Sequence, residues 1–169
     1  NKAVHVVADI FPGKLKLDRR KGDAAMQPLE QHGNIVWLVG LQPSLYAASL
    51  YKLMAAENAD ARYYATWIVA RHAEPEAVPH LVERLFDRDD QVRAVALRYV
   101  ESIRGTRPIQ EHLTHIRNQV RSEDLHQREG AISAVATLRD EGAVQDLIDA
   151  LTEPALADRA AQALGRITF

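Results

Sequence analysis

The residues best suited to recognition chemistry are Tyr63, Trp67, Arg71, Arg98 and Glu101. Tyr63, Trp67 and Arg71 follow one another at four-residue steps, so on a helix they form one track. Aromatic rings with a polar tip, and arginine, are the side chains that most often anchor a protein partner. Arg98 and Glu101 occupy the matching track one segment later. A second series, Arg62, Arg93 and Arg128, invites a phosphate-site reading. A structural task is the stronger reading of the two. His112 and His115 lie three apart within Glu111-His112-Leu113-Thr114-His115 and would chelate a metal only with a converging third ligand. No third ligand is identifiable, and the pair reads as solvated. Hydrolytic chemistry lacks its usual parts, with no Gly-x-Ser-x-Gly, no phosphate-cradling glycine loop and no cysteine nucleophile. Asp89-Asp90 marks a helix start, where negative charge is stabilised by the helix dipole. The expectation is a binding protein, not an enzyme, with no catalytic residue, no cofactor and no metal.

The elements that must position these residues are announced by a repeated small side chain. Ala65, Ala96, Ala131 and Ala160 recur at intervals of 31, 35 and 29 residues, each followed four residues later by Val69, Val100, Val135 or Leu164. Self-similarity at this period marks stacked helix pairs. Pro43, Pro75 and Pro108, spaced by 32 and 33 residues, each precede an apolar run of helical period, and proline is tolerated in a first helical turn. Asp140-Glu141-Gly142 precedes a fourth such run, Pro154 opens the last helix, and Gly105 is placed to end a helix. First helices carry large aliphatics, as in Leu81, Val82 and Leu85 or Leu147, Ile148 and Leu151. Second helices carry the alanines, where a small residue lets two backbones approach, and Gly130 beside Ala131 serves the same purpose. The spacing predicts four hairpins, 43–72, 75–104, 107–138 and 142–168. A further helix is expected over 33–41, making a repeat domain of 33–169. Residues 1–32 are basic, broken by Pro12-Gly13 and Pro28, and read as an irregular arm over the first hairpin. The fold class expected is all-α, an α-solenoid.

Composition narrows the rest. The net charge is −2 in 169 residues, with no cysteine. No overall basic field exists to attract nucleic acid, and neither disulfides nor thiolate metal sites can form. No apolar run reaches the roughly 18 residues that span a bilayer, so no membrane is expected and the cytoplasm is the default location. The final Ile167-Thr168-Phe169 lacks a polar closing segment. Solenoid ends need covering, so either the array continues in a longer polypeptide or this end packs on another copy, a possible homo-oligomer.

Within this framework, Val78-Pro79 through Val95-Ala96 resembles a HEAT repeat: Pro79 in the first helix, Asp87 in the turn, and Val92-Arg93 leading the second helix. Ala157-Asp158-Arg159-Ala160-Ala161-Gln162-Ala163-Leu164-Gly165-Arg166-Ile167 resembles the short HEAT-like type found in phycobilin lyases. The resemblance implies a right-handed stack whose second helices line a concave face, with arginines such as Arg62, Arg93 and Arg128 tying the inter-helix turns together with acidic residues such as Asp87. It also implies a non-catalytic interaction or scaffold module for a protein or peptide partner, with Tyr63, Trp67, Arg71, Arg98 and Glu101 as contacts. Tetrapyrrole (bilin) lyase or chaperone-like activity is the alternative, followed by nucleic-acid binding. Iron-binding HEAT-like hydroxylases use repeated His-Glu dipeptides, which this chain lacks.

Overall fold

Asn58, Asp89 and Asp124 each stand seven residues before a signature alanine, and in the computed structural model each caps a helix. Asn58 Oδ1 accepts from the backbone N–H of Asp60 and Ala61 at 2.8 and 3.2 Å. Asp89 Oδ1 accepts from Gln91 and Val92, and Asp124 Oδ1 from His126 and Gln127. Each cap satisfies donors that the first helical turn leaves without a partner. The structure describes residue 19, residues 43–72 and residues 74–168. The helix expected over 33–41 and most of the basic arm lie outside them. Two compact units divide the chain, 1–72 and 73–169.

In the first unit, helix α1 (Pro43–Met54) packs against α2 (Ala59–Arg71). Leu50, Met54, Ala61, Tyr64, Ala65, Ile68 and Val69 are buried. Arg62, only 4% exposed, donates through Nη1 to the carbonyls of Ala56 and Glu57 at 3.0 and 2.8 Å. It thereby satisfies two turn carbonyls that the reversal leaves open.

In the second unit, the first hairpin is α3 (Val78–Glu83), flanked by 3₁₀ turns at Pro75–Ala77 and Arg84–Phe86, followed by α4 (Asp90–Ser102). Next come α5 (Arg107–Gln110), α6 (Leu113–Gln119) and α7 (Leu125–Leu138). The last hairpin is a 3₁₀ turn at Glu141–Ala143, α8 (Val144–Ala150) and α9 (Ala157–Thr168). The first helix of the middle hairpin is therefore broken at Glu111-His112. The last helix starts three residues after Pro154, which sits in the turn. Gly105 stands in the turn after α4 at φ +79°, as its placement suggests.

Helix α7 is the spine of this unit. It packs on α4, α6, α9 and the Arg84–Phe86 turn, and Gly130, Ala131, Ile132, Ala134, Val135, Ala136 and Leu138 are buried along it. Gly130 permits the approach: a Cβ there would lie 1.9 Å from the Leu85 carbonyl oxygen. Ala65, Ala96, Ala131 and Ala160 are all 0% exposed. One apolar core runs from Val78 to Ala163, and fully buried side chains such as Ile116, Ile132 and Leu147 each contribute about 2 kcal/mol. Of the large aliphatics on α8, Leu147 is buried whereas Ile148 and Leu151 at its end are 44% and 39% exposed.

Candidate partner-docking face

Helices α4, α7 and α9 carry the signature alanines inward, so their opposite sides form the face on which a partner can be met. The direction that α4 shares with α7 is fixed by contacts at both ends, and α9 joins α7 near their N-termini. Near the N-termini, Arg93 of α4 and Arg159 of α9 both reach Glu129 of α7, at 3.8 and 3.5 Å, and His126 approaches the same carboxylate at 3.7 Å. Beyond the C-terminus of α4, Arg104 Nη1 donates to the Thr137 carbonyl of α7 at 3.4 Å. Outward along α4 stand Ala94, Arg98, Glu101 and Ser102, all exposed. Along α7, Glu129, Ser133 and Thr137 are half-buried and Ala136 is buried, because neighbours flank this helix on both sides. Asp158, Gln162, Gly165 and Arg166 are exposed on α9.

Arg98 and Glu101 thus reach solvent, and neither has an ion-pair partner among the described residues. In the first unit, Trp67 is half-buried, with the exposed Arg71 guanidinium 5.1 Å from its ring centroid. Such a cation–π contact at a wet site is worth about 0.5–1 kcal/mol. Tyr63 requires a correction. It is 3% exposed, edge-on to Tyr64 at 5.2 Å, with the Arg19 guanidinium 5.6 Å from its ring centroid. Arg19 is held there by Asp60, at 2.9 Å. A ring so enclosed offers a partner no surface, and Tyr63 belongs to the packing of the first unit.

The arginine series is structural, with one change of partner. Arg93 Nη1 donates to the Asp87 carbonyl oxygen at 2.6 Å, not to its carboxylate. The Asp87 carboxylate accepts instead from the Asp89 N–H and from Arg84. Arg128 donates through Nε to the Val120 carbonyl at 2.9 Å and grips Glu153 with two nitrogens at 2.6 and 2.5 Å. That hydrogen-bonded grip holds the Glu153 carboxyl below the usual carboxylate range and raises the Arg128 guanidinium. Arg117 clasps Asp140 at 2.6 Å through both Nε and Nη2, and Arg121 pairs with Asp146.

The two histidines part company. His112 precedes α6, while His115 within it lies 2.8 Å from Glu83 and edge-on to Phe86 at 5.5 Å. Among the described residues no three potential ligands cluster to hold a metal ion. Burial lowers the basicity of His72, with Arg71 adding to the effect. His80 is lowered by burial and by Arg84, against an opposing pull from Glu83. A shallow cavity of about 250 Å³ is lined by Pro75, Val78, Pro79, Arg107, Pro108, Glu111 and His112. Its two opposite charges, Arg107 and Glu111, already pair at 2.9 Å.

Sequence reasoning passed over Arg104 and Arg139, although the signal was present. Each stands eight residues after its signature alanine, and both are exposed where their helices end.

The family model for the PBS lyase HEAT-like repeat matches residues 61–87. None of the curated proteins matches the chain. Among solved structures, a designed armadillo repeat protein in complex with the peptide (KR)4 aligns with a TM-score of 0.50 at 17% identity, over 99% of this chain and 92% of that one. Another designed armadillo repeat protein gives 0.46 at 17% identity, with the same two coverages. An engineered protein known from its crystal structure gives 0.46 at 19% identity, over 98% of this chain and 79% of that one. At these identities the likeness is one of fold: an all-α helical-repeat solenoid similar to the HEAT and armadillo kind.

Proposed function

We propose that this helical-repeat chain is a non-catalytic interaction module that holds a peptide or protein segment against the outer side of its second helices. The carrying observation is the face of α4, α7 and α9, three helices running side by side with Arg98, Glu101, Gln162 and Arg166 exposed along it. Affinity in such a surface comes from a few anchors, not from total area. Arg98 and Glu101 are the anchors proposed in the second unit, and Trp67 with Arg71 in the first. The peptide held by one designed neighbour of similar fold lends this reading support.

Selection of random peptides by display on the immobilised protein tests it. Enriched peptides should bind, and Arg98→Ala with Glu101→Ala should weaken them at least five-fold while the far-ultraviolet circular dichroism stays helical. Failure to enrich any sequence, or binding indifferent to both substitutions, defeats the reading.

A second reading, tetrapyrrole handling, rests on the lyase in the name of the repeat that residues 61–87 match. Mixing the protein with a free bilin should then shift the visible absorption; an unchanged spectrum removes it. No described helix is long and apolar enough to cross a membrane.

A further inference from the structure

Arg88 in the turn before α4 aside, the arginines of the second unit sort by position. Arg84, Arg93, Arg107, Arg117, Arg121, Arg128 and Arg159 each have a carboxylate partner. Arg98, Arg104, Arg139 and Arg166 have none within ion-pair range among the described residues, and all four are exposed. All four belong to the C-terminal halves or ends of the second helices α4, α7 and α9. The Arg104 contact with Thr137 places two of those ends together. Positive charge near a helix C-terminus is favourable in itself, but two further features of this edge run against local stability.

Arg139 adopts φ +54°, ψ +47° as the residue closing α7. Glycine takes that left-handed conformation freely, whereas a side chain strains it. Gly165 makes the opposite choice. It lies inside α9, is exposed, and a Cβ built there meets nothing within 4 Å. Neither packing nor backbone conformation asks for glycine, and alanine would favour the helix. An arginine where glycine fits better and a glycine where alanine fits better lie at the ends of two adjoining helices. Local rules broken together in this way are the mark of a functional surface.

We infer that the Arg98–Arg104–Arg139–Arg166 edge binds an acidic, extended peptide whose backbone passes close over Gly165. This rests on the interaction-module reading above and names its partner's chemistry. Neighbouring helix axes lie about 8–10 Å apart, and an extended chain advances about 3.3 Å per residue. A carboxylate at roughly every third position therefore meets successive helices. Glu101, beside Arg98, disfavours a uniform polyanion such as a nucleic acid.

Fluorescence anisotropy tests this with a peptide carrying glutamate at every third position among serine and glycine. Comparison ligands are its lysine and all-neutral counterparts and oligothymidine. The glutamate peptide should bind best and weaken several-fold between 50 and 300 mM salt. Arg139→Gly and Gly165→Ala should each raise Tm and yet weaken it, by about ten-fold and three-fold respectively. Stabilised variants that keep full affinity overturn the inference, as does equal binding of the neutral peptide. Oligothymidine bound as tightly and indifferently to Gly165→Ala would make this a general polyanion edge, against the peptide assignment. If the lysine peptide binds instead and responds to Arg98→Ala with Glu101→Ala, only the acidic assignment falls. If no designed peptide binds, the assignment falls, and the display selection decides the wider reading separately.

Discussion

Individual side chains act here mainly through backbone groups that a helical reversal leaves open. Arg62 is the clearest instance, closing two carbonyls while almost wholly buried. Arg62→Ala leaves both without their donor, and we expect a loss of about 2–3 kcal/mol, read from urea midpoints. Gly130→Ala drives a methyl carbon into the Leu85 carbonyl and to 3.1 Å from the Arg93 side chain. Overpacking of this kind costs about 2 kcal/mol or more, and a Tm fall near 10 °C is the expected reading. Glu153 supplies a pH test. Its carboxyl is depressed in the folded protein by the hydrogen bonds from Arg128. Its contribution is therefore complete above the ordinary glutamate value and is lost as pH falls through the depressed one. Glu153→Gln should flatten that acidic limb of the stability profile while leaving neutral behaviour little changed.

At the scale of the element, the three polar caps give a matched set. Asn58→Ala, Asp89→Ala and Asp124→Ala should each cost about 1 kcal/mol, measured by thermal unfolding, because each removes an acceptor serving two N–H groups. These caps, the alanine period and the proline punctuation made the hairpins legible before any coordinates, since each rule is local. The break at Glu111-His112 was not legible, having neither glycine nor proline to announce it. The burial of Tyr63 was hidden for another reason: its cover, Arg19, lies far upstream and is fixed by Asp60 on the same helix as Tyr63. For the candidate site, Arg98, Glu101 and Arg166 could be placed outward by counting around a helix. The same count places Arg139 eight residues after its alanine, but does not give the left-handed backbone that sets it apart, a dihedral angle that an arginine seldom adopts.

On the scale of the whole molecule, the second unit is organised around α7, which alone contributes seven buried residues. Repeat proteins draw stability from nearest-neighbour interfaces, and α7 borders elements on either side of it. Native-state hydrogen exchange should therefore find the slowest amides of residues 73–169 between Gly130 and Val135, with α9 next and the turn at 103–106 fastest. Slower exchange in α4 than in α7 would contradict this order. The charged links are unevenly shared. Arg117–Asp140, Arg121–Asp146, Arg128–Glu153 and Arg159–Glu129 all join the last two hairpins. The Asp140 and Asp146 carboxylates are sheltered within their pairs, and sheltered pairs are screened by salt far less than open ones, so that junction should hold at high ionic strength.

The left-handed arginine that ends α7 has a consequence for anyone who improves this chain by selection. A screen that rewards heat resistance alone will replace Arg139 with glycine, and a screen that rewards capture of a ligand will keep it. Families of variants evolved under the two regimes should diverge at this codon first, and the codon they settle on records which pressure was felt.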